Sequence, residues 1–369
     1  PVHQVSLWPT ARPGDLVMLG EGALPSRSGE NLFWVGRYAE RAEGTLRLLR
    51  TAISKLADFD DYGDDADLAV LRQMLVTLTH LTGMYPGFTG EDADKQLANP
   101  RPRILEMALN RTQRSSLIGT LDSFMQSAFN VRDLWSVDTW RVVDNIDITI
   151  QHLAASPNDF GLLQNELDSL IGSLMAFFGQ TQESMPHESG WYMLTLGRRL
   201  ERALQLVNIL RNSLVHPQAE VVEHLTLEAV LLNQASLNTH RRRYRALQQV
   251  MTVLDLLLLD VQHPRSLAYQ VEQISQKLAK LPPLTKPLGS HQLSREQRLI
   301  LQVSTDLKLA EAEKLSRLTE DTNTRIHLDK LLNNVERRLS KISALLTEKY
   351  FSHTQSARQL APTRIELSV

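Results

Sequence analysis

The chain of 369 residues contains no cysteine. That excludes disulfides, thiolate metal sites and a cysteine nucleophile, and it fits a reducing compartment, so a cytoplasmic location is expected. Charge of one sign is not in excess either. The 40 Lys and Arg nearly balance 42 Asp and Glu, for a formal net charge of −2, so no global basic surface calls for nucleic acid. Long apolar runs are missing. The most apolar stretch, Val250 to Leu259, contains Asp255 and falls well short of the ~18 uncharged apolar residues of a membrane span. The start of the chain has no basic-then-apolar leader pattern. It begins Pro1-Val2-His3 rather than at Met, which reads as processing or as a piece of a longer polypeptide.

Familiar catalytic motifs are also absent. There is no Gly-x-Ser-x-Gly elbow. There is no Walker A pattern, since Gly87 to Gly90 lacks the following Lys. The Glu-x-x-His pairs of di-iron bundles do not occur. Glu183 and His187, and His224 and Glu228, stand four apart and read as surface or helix-end contacts. No bound metal is expected, and no cofactor in this chain.

What is present is helical. Hydrophobic residues at 42% and charged residues at 22% allow a sizeable core. Residues 1–25 carry Pro1, Pro9, Pro13 and Pro25 with short β-like runs and read as a linker or the end of a preceding domain. Ser26 or Ser28 is a candidate cap for a first helix to about Leu56, and a second helix spans about 65–81. The segment 83–102 reads as irregular. Further helices are expected at about 103–111, 115–134, 137–154 (capped by Ser136) and 160–182. The second half gives 190–214, 219–233, 236–260, 266–280, 294–318 and 323–349, with a break at Pro282, Pro283 and Pro287. A loose tail follows from 351. No strand pattern appears after residue 25. The expected fold is all-α, a multi-helix bundle over 26–350 with sub-halves of about 26–185 and 186–350.

The bundle carries an internal duplication. Residues 32–50 and 193–211 align without gaps, sharing Gly-Arg-x-x-Glu-Arg-Ala. Positions i, i+3 and i+4 share a helix face. Arg37, Glu40 and Arg41 therefore form one set, and Arg198, Glu201 and Arg202 another. Within a set, a carboxylate beside two guanidinium groups can orient an Arg fork and leave donors free for phosphate or carboxylate. Gly36 and Gly197 cost helix stability, roughly 1 kcal/mol each against Ala, and point to close helix contact or close approach of a ligand. Three readings follow: a buried ion network tying helices, a ligand or partner site, or a solvated face. The tie stands first.

Arg241, Arg242, Arg243 and Arg245 form the densest basic run, with Tyr244 among them. Base stacking with phosphate contacts is one use of such a run. A patch for an acidic partner is a second. An intramolecular clamp on the 255–260 region is a third. Trp34, Trp135, Trp140 and Trp191 are expected in the core or at a joint between parts of the fold.

At these residues the sequence resembles the alpha-E family, a bacterial all-helical domain named for its Glu-Arg motif. Leu24 to Glu43 resembles the family's N-terminal signature. Asn130 to Val143, with Arg132, Asp133 and Trp140, is similar to its Arg-Asp…Ser-x-x-x-Trp block. Arg241 to Arg245 and Leu257 to Tyr269, which includes Arg265, resemble its C-terminal block. Ala128-Phe129-Asn130 stands where the family usually carries a further Arg, and the segment from Tyr85 to Arg103 is longer than typical.

The resemblance implies association, in cis or in trans, with a circularly permuted ATP-grasp protein that joins a carboxylate to an amine. ATP and Mg would then sit on that partner, an acidic peptide becomes a candidate substrate, and neither membrane nor nucleic acid is an expected partner. It implies a non-catalytic accessory role, docking on the ligase or binding an acidic or phosphorylated intermediate. Two alternatives stay open: an active site of its own with Glu40 or Glu201 as general base, and an oligomer scaffold.

Overall fold

The computed structural model describes residues 25–245, 248–282, 292–319 and 323–351. Within them lie fifteen α-helices: α1 (Ser26–Tyr62), α2 (Asp65–Thr82), α3 (Ala93–Ala98), α4 (Arg101–Leu109), α5 (Leu117–Phe129), α6 (Val137–Ala155), α7 (Phe160–Ser184), α8 (Ser189–Leu214), α9 (Glu220–Asn233), α10 (Leu237–Tyr244), α11 (Val250–Leu254), α12 (Leu267–Lys280), α13 (Arg295–Lys308), α14 (Ala312–Ser316) and α15 (Ile326–Leu346). No strand occurs among the described residues, only an isolated bridge between Thr319 and Thr324. None of the described helices is long and apolar enough to cross a membrane. The expected linker, apart from Pro25, lies outside the described residues, as do Pro283, Pro287 and the tail from 352.

Local chemistry sets many of the helix ends. Ser116, Ser136, Asp159, Ser266 and Ser294 each accept a backbone N–H from the first turn that follows, which satisfies a donor with no partner inside the helix. Gly63 and Gly83 close α1 and α2 in the left-handed region, at φ 64° and 67°, where a side chain would be strained.

Several boundaries differ from expectation. Pro25, not Ser26 or Ser28, occupies the N-cap of α1, without a side-chain cap. That helix runs on to Tyr62 because nothing before Gly63 stops it. The 83–102 segment folds a short helix, α3, and most of it leads into α4. The single helix expected over 236–260 breaks after Tyr244, where Arg245 takes φ 58° with no Gly or Pro to mark it. It resumes as α11 and a π-turn at Asp255–Leu259. The 294–318 helix is likewise two, α13 and α14.

The core is organised about α1 and α8. Helix α1 packs on α2, α5, α7 and α8, and α8 also meets α12 and α15. Leu32, Phe33, Val35, Ala39, Ala42 and Leu46 of α1 are fully buried, so this helix is covered on more than one face, as a central helix must be. The two sub-halves thus meet along the duplicated helices themselves.

Candidate functional site

The two copies of the motif lie against each other. A Cβ at Gly36 would collide with the Leu194 carbonyl, and one at Gly197 with the Phe33 carbonyl. Each glycine therefore admits the backbone of the other helix. Further along, Gly44 faces the side chain of Gln205. Equivalent positions come together in the same order, so the helices run parallel, in register, with reciprocal contacts.

The reciprocity extends to the charges and corrects the expected pairing. Glu40 is not clamped by Arg37 and Arg41 of its own helix. It accepts from Arg202, through both Nε and Nη2, and from Arg198 at 3.2 Å. Glu201 in turn accepts from Arg37 and from Arg41 Nε at 2.7 Å. Each carboxylate is gripped by the arginines of the opposite copy. A third carboxylate, Glu43, is fully buried and takes Arg47 at 2.8 Å, Arg202 at 3.0 Å and Arg265 at 2.8 Å. Glu43 and Arg47 were not among the candidates, although their i, i+4 spacing was visible. Burial alone would raise the carboxyls of Glu201 and Glu43. The guanidinium groups outweigh it and hold both below the usual carboxylate range. Burial lowers Arg265, as does Arg202 nearby.

Around three carboxylates stand six guanidinium groups. Part of the positive excess reaches a cavity. Arg198 lies over the Phe178 ring at 3.5 Å, and burial followed by Arg202 pushes it down to about 9. With Arg199 it lines a cavity of about 380 Å³ between α7, α8 and α12. Trp191 lines it too. Neither Glu40 nor Glu201 does. Both are buried and fully engaged, which leaves neither placed to take a proton from a substrate.

The remaining candidates lie elsewhere. Arg132 and Asp133 are exposed in a 3-10 turn between α5 and α6. Arg132 covers Phe129 at 4.7 Å, and Trp140 packs beside the same ring at 6.3 Å. In the basic run, Arg241 pairs with Glu228 at 2.8 Å, Arg243 with Asp260, and Tyr244 donates to Asp255. Those last two contacts close the run onto the 255–260 region of its own chain. Burial and the Asp255 hydrogen bond push Tyr244 up to about 12. Arg242 and Arg245 are exposed. Of the spaced His/Glu pairs, His187 stacks on Trp191 at 4.0 Å and Glu228 is held by Arg241. Among the described residues no group of three or more His, Asp or Glu is arranged to hold a metal ion.

Comparison with known proteins places this arrangement. The chain is 30% identical over 326 residues to uncharacterized proteins of Mycobacterium bovis and of Mycobacterium tuberculosis. The match covers 86% of this chain and 36% of each relative, so the chain spans little more than a third of the length of those relatives. No solved structure matches it. The model of a family described as a predicted alpha-helical domain with a conserved ER motif matches residues 24–351. With Glu40-Arg41 and Glu201-Arg202 of its duplicated motif facing each other at the centre of the fold, the chain belongs to the Alpha-E family.

Proposed function

We propose that this domain is a non-catalytic accessory module of an ATP-grasp-dependent system that forms peptide or amide bonds, and that it docks on the ligase. The ligase character of the partner comes from the family resemblance. The mode of action comes from where the charges and apolar groups lie. The Arg-Glu-Arg clusters are spent inside the protein, which favours docking over capture of an intermediate by those clusters.

The observation that carries docking is an exposed aromatic and aliphatic patch at the α5–α6 connection. Phe129 is 54% exposed and Val137 71%, with Leu134 and Trp140 beside them and Arg132 lying over Phe129. Apolar side chains gathered in this way mark contact surfaces, and Arg with aromatics is the composition found at their centres. Asn130 donates to Asn31 at 3.0 Å, which fixes the patch beside the first turns of α1. A domain joined through residues 1–25 would enter at that point. The relatives, with nearly two thirds of their length outside the match, have room for such a domain.

Co-purification with the ATP-grasp protein tests the reading, with Val137→Asp and Phe129→Ser as docking variants. Wild type should form the complex and both variants should lose it while keeping their helical content. Equal ligase activity with and without this chain, and no complex, would refute the proposal.

A further inference from the structure

The cavity between α7, α8 and α12 has an unusual balance of charge. On α12, Tyr269, Gln273 and Lys277 recur every four residues and so share one face, with Lys280 one turn on. On α8, Trp191, Thr195 and Arg199 do the same, with Arg198 three residues after Thr195. These two stripes face each other across the cavity. The lining contains four cationic side chains and no carboxylate. Arg198 shares Glu40 with Arg202 at 3.2 Å. Arg199, Lys277 and Lys280 have no carboxylate partner among the described residues.

Their actual neighbours are weak substitutes for a counter-charge. Arg199 donates to the Gln270 amide oxygen at 3.2 Å and lies 5.4 Å from the Tyr269 ring. Its Nε is buried without a hydrogen-bond partner. Lys277 is only 9% exposed and sits 5.2 Å from the Trp191 ring, and Lys280 lies over Tyr192 at 5.7 Å. Arg199 and Lys277 are thus held close together and largely out of water, one of them with an orphaned donor, and the exposed Lys280 adds a third like charge beside them. Such a group is costly unless something negative completes it.

The duplication supplies a control inside the molecule. At the positions equivalent to Thr195 and Arg199, the first copy has Trp34 and Tyr38, which stack on each other at 5.3 Å. The ionic tie is shared by both copies. Arg199, which adds a second guanidinium to the cavity beside Arg198, has no counterpart in the first copy, so the tie does not require it.

We propose that this cavity binds a small polyanion through phosphoryl groups. The aromatic faces already carry cations, so the charged heads, and not open rings, are what the cavity offers a ligand. A phosphoryl group brings a charge of about −1.5 to −2 on three acceptor oxygens, against one charge on two oxygens for a carboxylate. Two largely buried cations without a counter-charge, Arg199 and Lys277, with the exposed Lys280 beside them, around about 380 Å³ match one compact diphosphate better than several separate carboxylates, each needing its own carbon frame. The site is independent of the docking surface proposed above and needs no ligase to be tested.

Titration calorimetry of the full chain at low salt, with pyrophosphate, inorganic phosphate and citrate as probes, decides the matter. Pyrophosphate should bind, and citrate should bind at least about tenfold more weakly. Arg199→Gln and Lys280→Gln should each weaken pyrophosphate about tenfold or more. Arg141→Gln, on the exposed surface of α6, should leave it unchanged. Lys280 is exposed, so its variant keeps the test valid even if Arg199→Gln misfolds by circular dichroism. No pyrophosphate binding up to ~10 mM, or equal binding by wild type and Lys280→Gln, would overturn the site. Citrate binding as tightly as pyrophosphate would overturn the phosphoryl assignment.

Discussion

Glu40 on α1 is held by Arg202 on α8, through both Nε and Nη2 of one guanidinium. The two residues are 162 positions apart in the chain, yet each belongs to a copy of the same short motif. The same exchange joins Glu201 to Arg37 and Arg41. An ion pair within one helix would stabilise that helix a little. An exchanged pair instead specifies which two helices meet and in what register, which is the best-attested use of buried charge.

Breaking the exchange on one side should therefore be severe. Glu201→Ala leaves Arg37 and Arg41 facing each other without a carboxylate, and a buried charge stripped of its partner typically costs ~3–5 kcal/mol. Asp168→Ala removes the partner of Arg50 in a pair where the carboxylate is 73% exposed, and such pairs contribute ~0–1 kcal/mol. Urea unfolding of the two variants should separate them clearly. Similar midpoints would show that the buried network does not hold the fold.

The glycines should discriminate in the same way. Replacing Gly by Ala inside a helix ordinarily gains up to ~1 kcal/mol. Gly172→Ala on α7, with nothing near its side-chain position, should show that gain. Gly36→Ala and Gly197→Ala should each lose ~1–3 kcal/mol instead, the usual penalty for overpacking, because the new methyl group meets the backbone carbonyl of the partner helix. Thermal melts of the three variants check the opposite signs.

Acid should attack the network in a defined window. Folding lowers the carboxyl of Glu201 from its ordinary value of 4.5, and that of Glu43 likewise. Protons therefore bind the unfolded chain more readily than the folded one. The stability from these groups is fully present above the unfolded value and is lost as pH falls below it, through the folded values. Urea midpoints should hold near neutrality and then fall steadily below about pH 4.5. Glu201→Gln should be less stable at neutrality and show a shallower acid slope. An unchanged slope would mean that other carboxylates control acid unfolding.

The duplication, the all-helical class and most helix positions were legible in the sequence, because apolar periodicity, capping Ser and helix-ending Gly are local signals. Gly36 and Gly197 also announced close approach. The exchange of partners was not legible. Positions i, i+3 and i+4 bring Arg37, Glu40 and Arg41 to one face whether their partners lie on the same helix or on the next. The break at Arg245 carries no Gly or Pro, so no local rule marks it. The cavity was missed for a related reason. Lys277 and Lys280 show a shared face, and Arg199 adjoins Arg198, but only the packing of α12 on α8 brings the two stripes together.

That cavity yields a last prediction in which stability and binding move in opposite directions. Burial, then Lys280 and Arg199, push the Lys277 ammonium below its ordinary range. The folded, ligand-free protein therefore holds its proton less well than the unfolded chain does. Its charged form opposes folding near neutrality, and the opposition is relieved as pH rises through the lowered value. Lys277→Met puts an uncharged side chain of similar length where the ammonium lies over Trp191. The variant should be more stable than wild type without ligand, by ~0.5–2 kcal/mol, as is common when a strained functional position is relaxed. It should also lose the stabilisation that pyrophosphate gives wild type. Paired melts with and without pyrophosphate read both effects in one experiment. A structural lysine predicts the opposite pattern: Lys277→Met would destabilise the free protein and leave any response to pyrophosphate intact.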